Sequence, residues 1–179
     1  MLEIDELTIR QAAKKDKRAF GRIYDYYSSF LWKVIYRTVN GDSDAAREIV
    51  QETFIRVYSS VGSFAFNSAF STWLYRIAFN AANTFLSKRN RKRYVISEDM
   101  DIFIDKKPKK DYEKEELVNM LLKLISPEDR FLLVSREVEG VPFEELATIT
   151  GKSSESLRTT VSRLKERLRL AYKQMQKVG

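Results

Sequence analysis

Cysteine and histidine are both absent from this chain of 179 residues. Without thiols the chain can form neither a disulfide framework nor a thiolate metal site. The two absences together also remove Ser–His and Cys–His nucleophile pairs and the usual zinc ligand sets. Only carboxylate-based metal chemistry or acid–base work by Lys or Tyr is left. We therefore predict a protein that is not an enzyme and has no metal or other cofactor.

Glycine and proline are scarce, at 6 and 3 residues. Their scarcity favours helices over short strands joined by turns, and no convincing alternating strand pattern is present, so the predicted fold is all-α. No run approaches the roughly 20 apolar residues of a membrane span, and the N-terminus lacks the apolar core of a secretory signal. We expect a soluble, cytoplasmic protein without membrane insertion.

Basic charge is concentrated at two separate places. The net charge is +7, which favours a polyanionic partner. Residues 1–97 hold 16 basic and 9 acidic side chains, and residues 146–179 hold 8 and 2. Between them, segment 96–112 has no helical period, contains Pro108 and carries charges of both signs, which is typical of an extended linker. We predict two small helical domains, 1–95 and 113–179, joined by this linker.

Apolar periodicity predicts four helices in the first domain, at 5–15, 17–38, 45–60 and 73–88. Asp42 or Ser43 is placed to cap the third helix, and Ser71 or Thr72 the fourth. The fourth helix runs into a cation cluster, and one of its faces is predicted to be buried: Trp73, Leu74, Ile77, Ala78, Ala81 and Phe85. Its other face carries Tyr75, Phe79, Asn80 and Asn83.

That second face combines aromatic rings with amide groups. Rings stack on unpaired bases and amides hydrogen-bond to base edges, so the pattern indicates single-strand binding. The cations that follow are suited to phosphates: Lys88, Arg89, Arg91, Lys92 and Arg93. A solvated face with cations that complement the helix dipole is the alternative. The preceding loop 61–70 carries Phe64 and Phe66, which either form a binding surface or close the top of the bundle.

The second domain contains a helix-turn-helix pattern. Predicted helices at 113–124 and from Pro127 are followed by a short helix at 142–149, a turn at 150–152 and a long basic helix at 153–172. Ser126 and Ser153 are the expected caps. On the long helix, base edges or nearby phosphates are assigned to Ser156, Arg158, Thr159 and Thr160, and the DNA backbone to Arg163, Lys165 and Arg167. An αα-hairpin with ordinary surface charges is the alternative.

Three segments together resemble one protein family. SDAAREIVQETFIRVYSSVGSF, FSTWLYRIAFNAANTFLSKRNRK and the block 126–172 resemble the extracytoplasmic-function (ECF) group of bacterial RNA polymerase sigma factors, in the sigma-70 family. The resemblance implies a sigma region 2-like first domain that binds the β′ coiled coil of core RNA polymerase and helps to melt the minus-ten element. It also implies a region 4-like second domain that binds the minus-thirty-five element as duplex and docks on the β flap.

The resemblance also implies functional residues. Together with the second face and the cations of the fourth helix, it gives the predicted minus-ten DNA surface: Phe64, Asn67, Ser68, Tyr75, Arg76, Phe79, Asn80, Asn83, Lys88, Arg89 and Arg91. Asn80 stands where the family commonly has an asparagine that contacts the unpaired strand, and loop 61–70 matches the segment that holds a flipped base. Those matched to polymerase are Asp44, Glu48, Gln51 and Glu52.

The spacing of the acidic residues in the third helix is informative even without the resemblance. Asp44, Glu48 and Glu52 lie at i, i+4 and i+8, so they form an acidic stripe that suits a basic protein partner. A magnesium site is disfavoured, because successive turns of one helix surround a cation poorly.

Two residues depart from the common family pattern. Thr160 replaces a frequent basic residue, and Glu155 a small or apolar one, so the sequence leaves the promoter bases open. Family members are generally controlled by an anti-sigma factor, which makes one an expected partner. The alternative function is a stand-alone helix-turn-helix regulator that binds duplex DNA without polymerase.

Overall fold

The computed structural model describes residues 3–96 and 114–178. Every regular element in these two ranges is helical, which confirms the all-α prediction. The elements are α1 Glu6–Ala13, α2 Lys17–Thr38, α3 Ser43–Ser60, a 3₁₀ turn Val61–Ser63, α4 Phe70–Ile96, α5 Lys114–Leu122, α6 Pro127–Glu137, α7 Phe143–Thr150 and α8 Ser154–Val178. None of these helices is long and apolar enough to cross a membrane.

Three of the four helices for which the sequence predicted a side-chain cap begin at the expected residue. Asp42 accepts a hydrogen bond from the Ala45 backbone N–H at 3.0 Å, and so caps α3. Ser126 caps α6 through the backbone N–H of Asp129, at 3.1 Å. Ser153 accepts from the Ser156 N–H at 3.2 Å at the start of α8. Each of these bonds satisfies one of the free N–H groups of a first helical turn.

The predicted cap of α4 is wrong. This helix begins at Phe70, so Ser71 and Thr72 lie inside its first turn, and both are buried. The Thr72 hydroxyl donates instead to the carboxylate of Glu145, at 2.7 Å. Helix α4 also continues to Ile96, beyond the predicted end at residue 88. The division into domains 1–95 and 113–179 remains a prediction, and linker residues 97–112 lie outside the described residues.

The first four helices share an apolar core. Ile23 and Leu31 of α2, Ile49 and Val57 of α3 and Leu74 of α4 are at most 1% exposed. These residues recur at helical spacing, so each helix has one apolar face turned to the others. The core fixes which face of α4 points outward, and hence which side chains are free to meet a partner.

The last two helices, α7 and α8, form the predicted helix-turn-helix. Gly151 ends α7 with φ of +76°, a left-handed conformation that favours glycine, and the chain then turns into α8. Leu146 of α7 and Leu157 of α8 are buried across this turn, and Phe131 of α6 is fully buried. The packing turns the apolar side of α8 inward and its polar, basic side outward.

The two groups of helices are also packed against each other. Helix α6 lies on α2, and α7 lies on α4. The Arg130 guanidinium of α6 donates to the Thr38 carbonyl of α2 at 3.2 Å and to the Leu122 carbonyl at 2.6 Å. The Phe131 ring is 5.0 Å from the ring of Phe79, between centroids. The described parts of the chain therefore make one closed arrangement.

Candidate nucleic-acid and polymerase interfaces

The outward face of α4 carries fewer groups than the sequence predicted. Arg76, Asn80, Lys88 and Arg89 are exposed, and Asn83 is half-buried. The predicted inward face is buried at Leu74, Ala78 and Ala81 and half-buried at Trp73, Ile77 and Phe85. The structure does not describe the side chains of Arg91, Lys92 and Arg93. The described part of α4 thus presents an amide and three cations to solvent.

Tyr75 and Phe79 are not exposed, contrary to the prediction. They are 1% and 5% exposed, and the Phe131 ring of α6 packs on both, with its centroid 6.4 Å from that of Tyr75 and 5.0 Å from that of Phe79. Burial raises the pKa of the Tyr75 phenol, and the nearby Glu139 carboxylate adds to this effect. The Tyr75 hydroxyl is buried without a hydrogen-bond partner in the described structure. In this arrangement neither ring is open to a partner.

The two phenylalanines of loop 61–70 have opposite positions. Phe64 is 8% exposed and packs on Phe70 and Trp73, with centroids 5.2 and 5.3 Å away, so it closes the top of the bundle, which is one of the two alternatives that the sequence left open. Phe66 is 38% exposed, has a positive φ of +58°, and has the Arg10 guanidinium 4.5 Å from its ring.

The sequence named Phe66 as a candidate ring but assigned only Phe64 to minus-ten DNA. Spacing by two in an irregular loop does not say which ring turns inward, so no signal distinguished Phe66 from Phe64. A bulky side chain held at positive φ is uncommon and marks a place where the surrounding structure dictates the backbone. Asn67 and Ser68 follow it and are exposed, as predicted.

Arg89 is not simply a free phosphate ligand. Its guanidinium lies 2.6 Å from the carboxylate of Asp42, the residue that caps α3. The backbone N–H of Ala45 and then Arg89 hold the pKa of Asp42 below its ordinary value. The pair ties the middle of α4 to the start of α3. Since the Arg89 side chain is 49% exposed, a phosphate can still reach it.

The acidic stripe of α3 lies on the surface. Asp44 pairs with Arg47 at 3.2 Å and Glu52 with Arg56 at 2.7 Å, both within the helix, while Glu48 and Gln51 are exposed. No group of three or more acidic side chains in the described ranges is placed to hold a metal ion.

An apolar residue next to this stripe was missed. Ile55 is 53% exposed beside Gln51 and Glu52, and it borders an open depression with Tyr24 and Phe54. A branched aliphatic side chain among charged neighbours in the sequence was the available signal. Buried apolar anchors usually provide most of the binding energy of a protein interface, so Ile55 fits a protein-binding surface better than the charges alone.

The outward side of α8 agrees with the prediction. Ser156, Arg158, Thr159, Arg163 and Lys165 are exposed. Thr160 is half-buried, and its hydroxyl donates to the Ser156 carbonyl at 2.9 Å. The exposed side chains lie along one surface of the second helix of the helix-turn-helix.

Two cations of α8 already have partners. Arg158 pairs with Glu144 at 2.6 Å and Lys165 with Glu137 at 2.7 Å. These side chains are 55% and 57% exposed, and such surface ion pairs contribute little, so phosphates can replace the carboxylates.

Comparisons with known proteins agree with this arrangement. Residues 23–92, from α2 into the cation cluster of α4, match the family Sigma-70 region 2. The chain is 32% identical to RNA polymerase sigma-H factor of Pseudomonas aeruginosa, over 92% of this chain and 91% of that protein. It is also 30% identical to the ECF sigma-E factor of Escherichia coli, over 90% of this chain and 91% of the relative. The chain belongs to the ECF group of RNA polymerase sigma factors.

Solved structures share the fold of this sigma factor. CnrH, in complex with the cytosolic domain of CnrY, superposes with a TM-score of 0.72 at 20% identity, over 94% of this chain and 97% of CnrH. The sigma factor RpoE of Bartonella quintana, in complex with the anti-sigma factor NepR, gives 0.70 at 20% identity, over 89% and 97%. Family membership favours the sigma-factor prediction over a stand-alone helix-turn-helix regulator.

Proposed function

We propose that this sigma factor binds core RNA polymerase, directs it to specific promoters and helps to melt the minus-ten element. One observation carries the proposal. A Sigma-70 region 2 match over residues 23–92 and a helix-turn-helix with an exposed second helix occur in one chain that is related to sigma factors over nine-tenths of its length. The chain then has no catalytic site or cofactor of its own, and it acts in the cytoplasm with polymerase.

The minus-ten element would be bound by α4 and loop 61–70. Asn80 would pair with the edge of an unpaired base, because an amide both donates and accepts hydrogen bonds. Phe66 would offer a ring to a flipped base from the loop, with Asn67 and Ser68 beside it. The exposed cations of α4 would hold phosphates and contribute affinity without selecting a sequence.

The minus-thirty-five element would be bound as duplex by α8. Ser156, Arg158 and Thr159 lie in its first turns, where a recognition helix meets base edges. Arg163 and Lys165 lie further along and would contact phosphates. Thr160 would contribute less than the prediction assumed, since its side chain is half-buried, whereas that of Thr159 is exposed.

The polymerase interface would combine the acidic stripe of α3 with Ile55. The stripe suits a basic surface such as that expected on the β′ coiled coil, and the second domain would dock on the β flap. An anti-sigma factor is the further partner we propose. The similar fold of RpoE, which is in complex with the anti-sigma factor NepR, supports it.

Run-off transcription tests the proposal. Purified core polymerase is supplied with genomic promoter fragments, with and without this chain, and the start sites of the transcripts are mapped. We expect specific start sites only when the chain is present. A chain that protects duplex DNA by itself but directs no start site would instead be a stand-alone regulator.

A further inference from the structure

The segment of the chain that contains α1 holds both ends of loop 61–70. Where α3 ends, the Lys15 ammonium donates to the Tyr58 carbonyl at 2.6 Å and lies 4.5 Å from the centroid of the ring of the same tyrosine. Where α4 begins, the Glu3 carboxylate accepts a hydrogen bond from the Ser71 backbone N–H at 3.3 Å. These backbone groups belong to a last and a first helical turn, which a helix leaves unpaired. Groups outside the loop therefore fix the positions of its two ends.

The middle of the loop is held by α1 itself. The Arg10 guanidinium lies 4.5 Å from the centroid of the Phe66 ring. Arg10 also pairs with Glu6 at 2.6 Å, but that contact lies within α1, so the contact with Phe66 is the one that links the helix to the loop. An arginine cation is attracted to the electron-rich face of an aromatic ring. The exposed ring of the loop therefore has a charged partner on a neighbouring helix.

The backbone of Phe66 needs such support. Its φ is +58°, and a bulky residue stays at positive φ only where the surrounding contacts hold it there. Phe66 is 38% exposed, so the core constrains it little, and its ring contacts Arg10 and Phe64, the latter with centroids 4.7 Å apart. Loss of Arg10 would leave the ring with less support and the loop with more than one accessible shape.

The polar side of α1 makes these contacts, and its apolar side serves the core. Ile9 and Ala12 are at most 4% exposed, whereas the Arg10 side chain is 59% exposed. Substitution of Arg10 therefore leaves the packing of the core intact. An effect of such a substitution on DNA binding would come from the loop and not from unfolding.

We propose that Arg10 is a positioning residue of the minus-ten site, which holds the Phe66 ring in the orientation that a flipped base needs. The inference rests on the proposed function, and it extends the site to a helix that carries none of the residues assigned to DNA. A ring that is held in place before binding loses less conformational freedom when a base stacks on it, so the base binds more tightly. Arg10 acts through Phe66 and does not itself touch the base.

Abasic DNA tests the proposal, because it lacks one base and keeps every phosphate. Holoenzyme made from core polymerase and this chain is titrated with a fork-junction DNA whose minus-ten strand is unpaired, taken from a promoter mapped by run-off transcription. An abasic residue is placed at each unpaired position in turn. The position at which Phe66→Ala no longer distinguishes intact from abasic DNA is the one that Phe66 contacts. There, wild type should bind intact DNA at least about fivefold more tightly than abasic DNA.

Arg10→Ala should lower this ratio of affinities about two- to fivefold, the size expected for an exposed contact between a cation and a ring. Arg10→Lys keeps a cation near the ring and should retain most of the ratio. The double variant Arg10→Ala with Phe66→Ala should have the same ratio as Phe66→Ala alone. Arg22→Ala is the matched control, since Arg22 is exposed and donates to Gln11 of α1 at 2.9 Å, and it should behave as wild type.

Two results would contradict the positioning role. Equal losses of affinity for intact and abasic DNA in Arg10→Ala would make Arg10 a phosphate contact, and unchanged affinities would give it no role at the site. If wild type directs no start site, or distinguishes the intact base at no position, the proposed function or its base contact fails, and the inference fails with it. The two kinds of failure are therefore distinguishable.

Amide hydrogen exchange in the free chain measures the order of the loop directly. Arg10→Ala should speed the exchange of the amides at 65–69 at least about twofold and leave exchange in α2 and α3 unchanged, because the core keeps its packing. Arg22→Ala should leave the loop at the wild-type rate. Unchanged exchange of the loop in Arg10→Ala would mean that other contacts hold Phe66 without the guanidinium, and would overturn the proposal.

Discussion

At the scale of single residues, Asn80 is the side chain of α4 on which promoter opening should depend most. It is exposed even in the closed arrangement, so the substitution Asn80→Ala creates no cavity. Loss of its hydrogen bonds to a base should lower promoter opening about tenfold and leave polymerase affinity unchanged. Permanganate reactivity of unpaired thymines measures opening, and titration with labelled core polymerase measures affinity.

The matched control is Thr84→Ala, one turn further along α4. Thr84 is also exposed, and its hydroxyl donates only to the Asn80 carbonyl, at 2.8 Å. This variant should open promoters normally. Equal losses of opening and of polymerase affinity in Asn80→Ala would remove Asn80 from the base contact.

Asp42 should make stability depend on acid pH. Its pKa is depressed, so its stabilising contribution is present above the ordinary aspartate value of 3.8 and is lost as pH falls through the folded value. Asp42→Ala should cost about 1 kcal/mol of unfolding free energy at pH 7, through loss of the α3 cap. Asp42→Ser keeps an acceptor and should cost less.

Urea denaturation of wild type, Asp42→Ala and Asp42→Ser between pH 7 and pH 3 measures the free energy of unfolding of each protein. The stability difference between wild type and Asp42→Ala should shrink towards pH 3. A difference that stays constant over this range would show that ionisation of Asp42 does not contribute. The Arg89 ion pair is a surface contact and should add little.

Tyr75 and Phe79 show a limit of prediction from helical periodicity. Helical spacing identified Leu74, Ala78 and Ala81 as buried, and the structure agrees. The same spacing placed Tyr75 and Phe79 outside, since periodicity shows which face meets the helix's own bundle. It carries no information on whether a second group of helices covers the opposite face.

At the scale of elements, α3 should provide the polymerase contact. Charge reversal in Glu48→Lys with Glu52→Lys replaces two carboxylates by cations and should weaken binding to core polymerase at least tenfold, because like charges would then face each other. Ile55→Ala should weaken it through loss of apolar contact. Since Ile55 is half-exposed, its truncation should change stability by less than about 1 kcal/mol.

Competition binding of these variants to core polymerase, with thermal unfolding as a check, separates the two effects. Glu6→Lys on α1 is a control for charge reversal at an exposed position of another helix, with half the charge change of the double variant. An affinity that does not change for either α3 variant would remove this helix from the interface. A salt-sensitive loss in the charge variant alone would assign the contact to charge.

The positions of the helices were predicted better than the residues at which they begin and end. Helices α2 and α3 follow the expected ranges closely because their apolar stripes and the Asp42 cap define them locally. The start of α4 was misplaced because two candidate cap residues, Ser71 and Thr72, are instead buried inside its first turn. Their partners lie far along the chain, and local pattern cannot supply them.

At the scale of the whole molecule, Arg130 should determine whether the two halves unfold together. Its guanidinium is partly buried, which lowers its pKa, and it donates to the carbonyls of Thr38 and Leu122. Arg130→Ala leaves both carbonyls without this donor and should cost roughly 2–3 kcal/mol. For a chain of this size, that corresponds to a fall in melting temperature of about 4–12 °C.

Differential scanning calorimetry distinguishes a coupling role from a local one. Wild type should unfold in one transition, since α6 packs on α2 and α7 on α4. Arg130→Ala should show two transitions, because the guanidinium bridges the halves. Arg136→Ala is the matched control, as Arg136 also lies on α6 but donates to Val141 within its own half, at 3.1 Å. Arg136→Ala should lower the melting temperature without splitting the transition. A single transition in Arg130→Ala would mean that apolar packing around Phe131 couples the halves without the guanidinium.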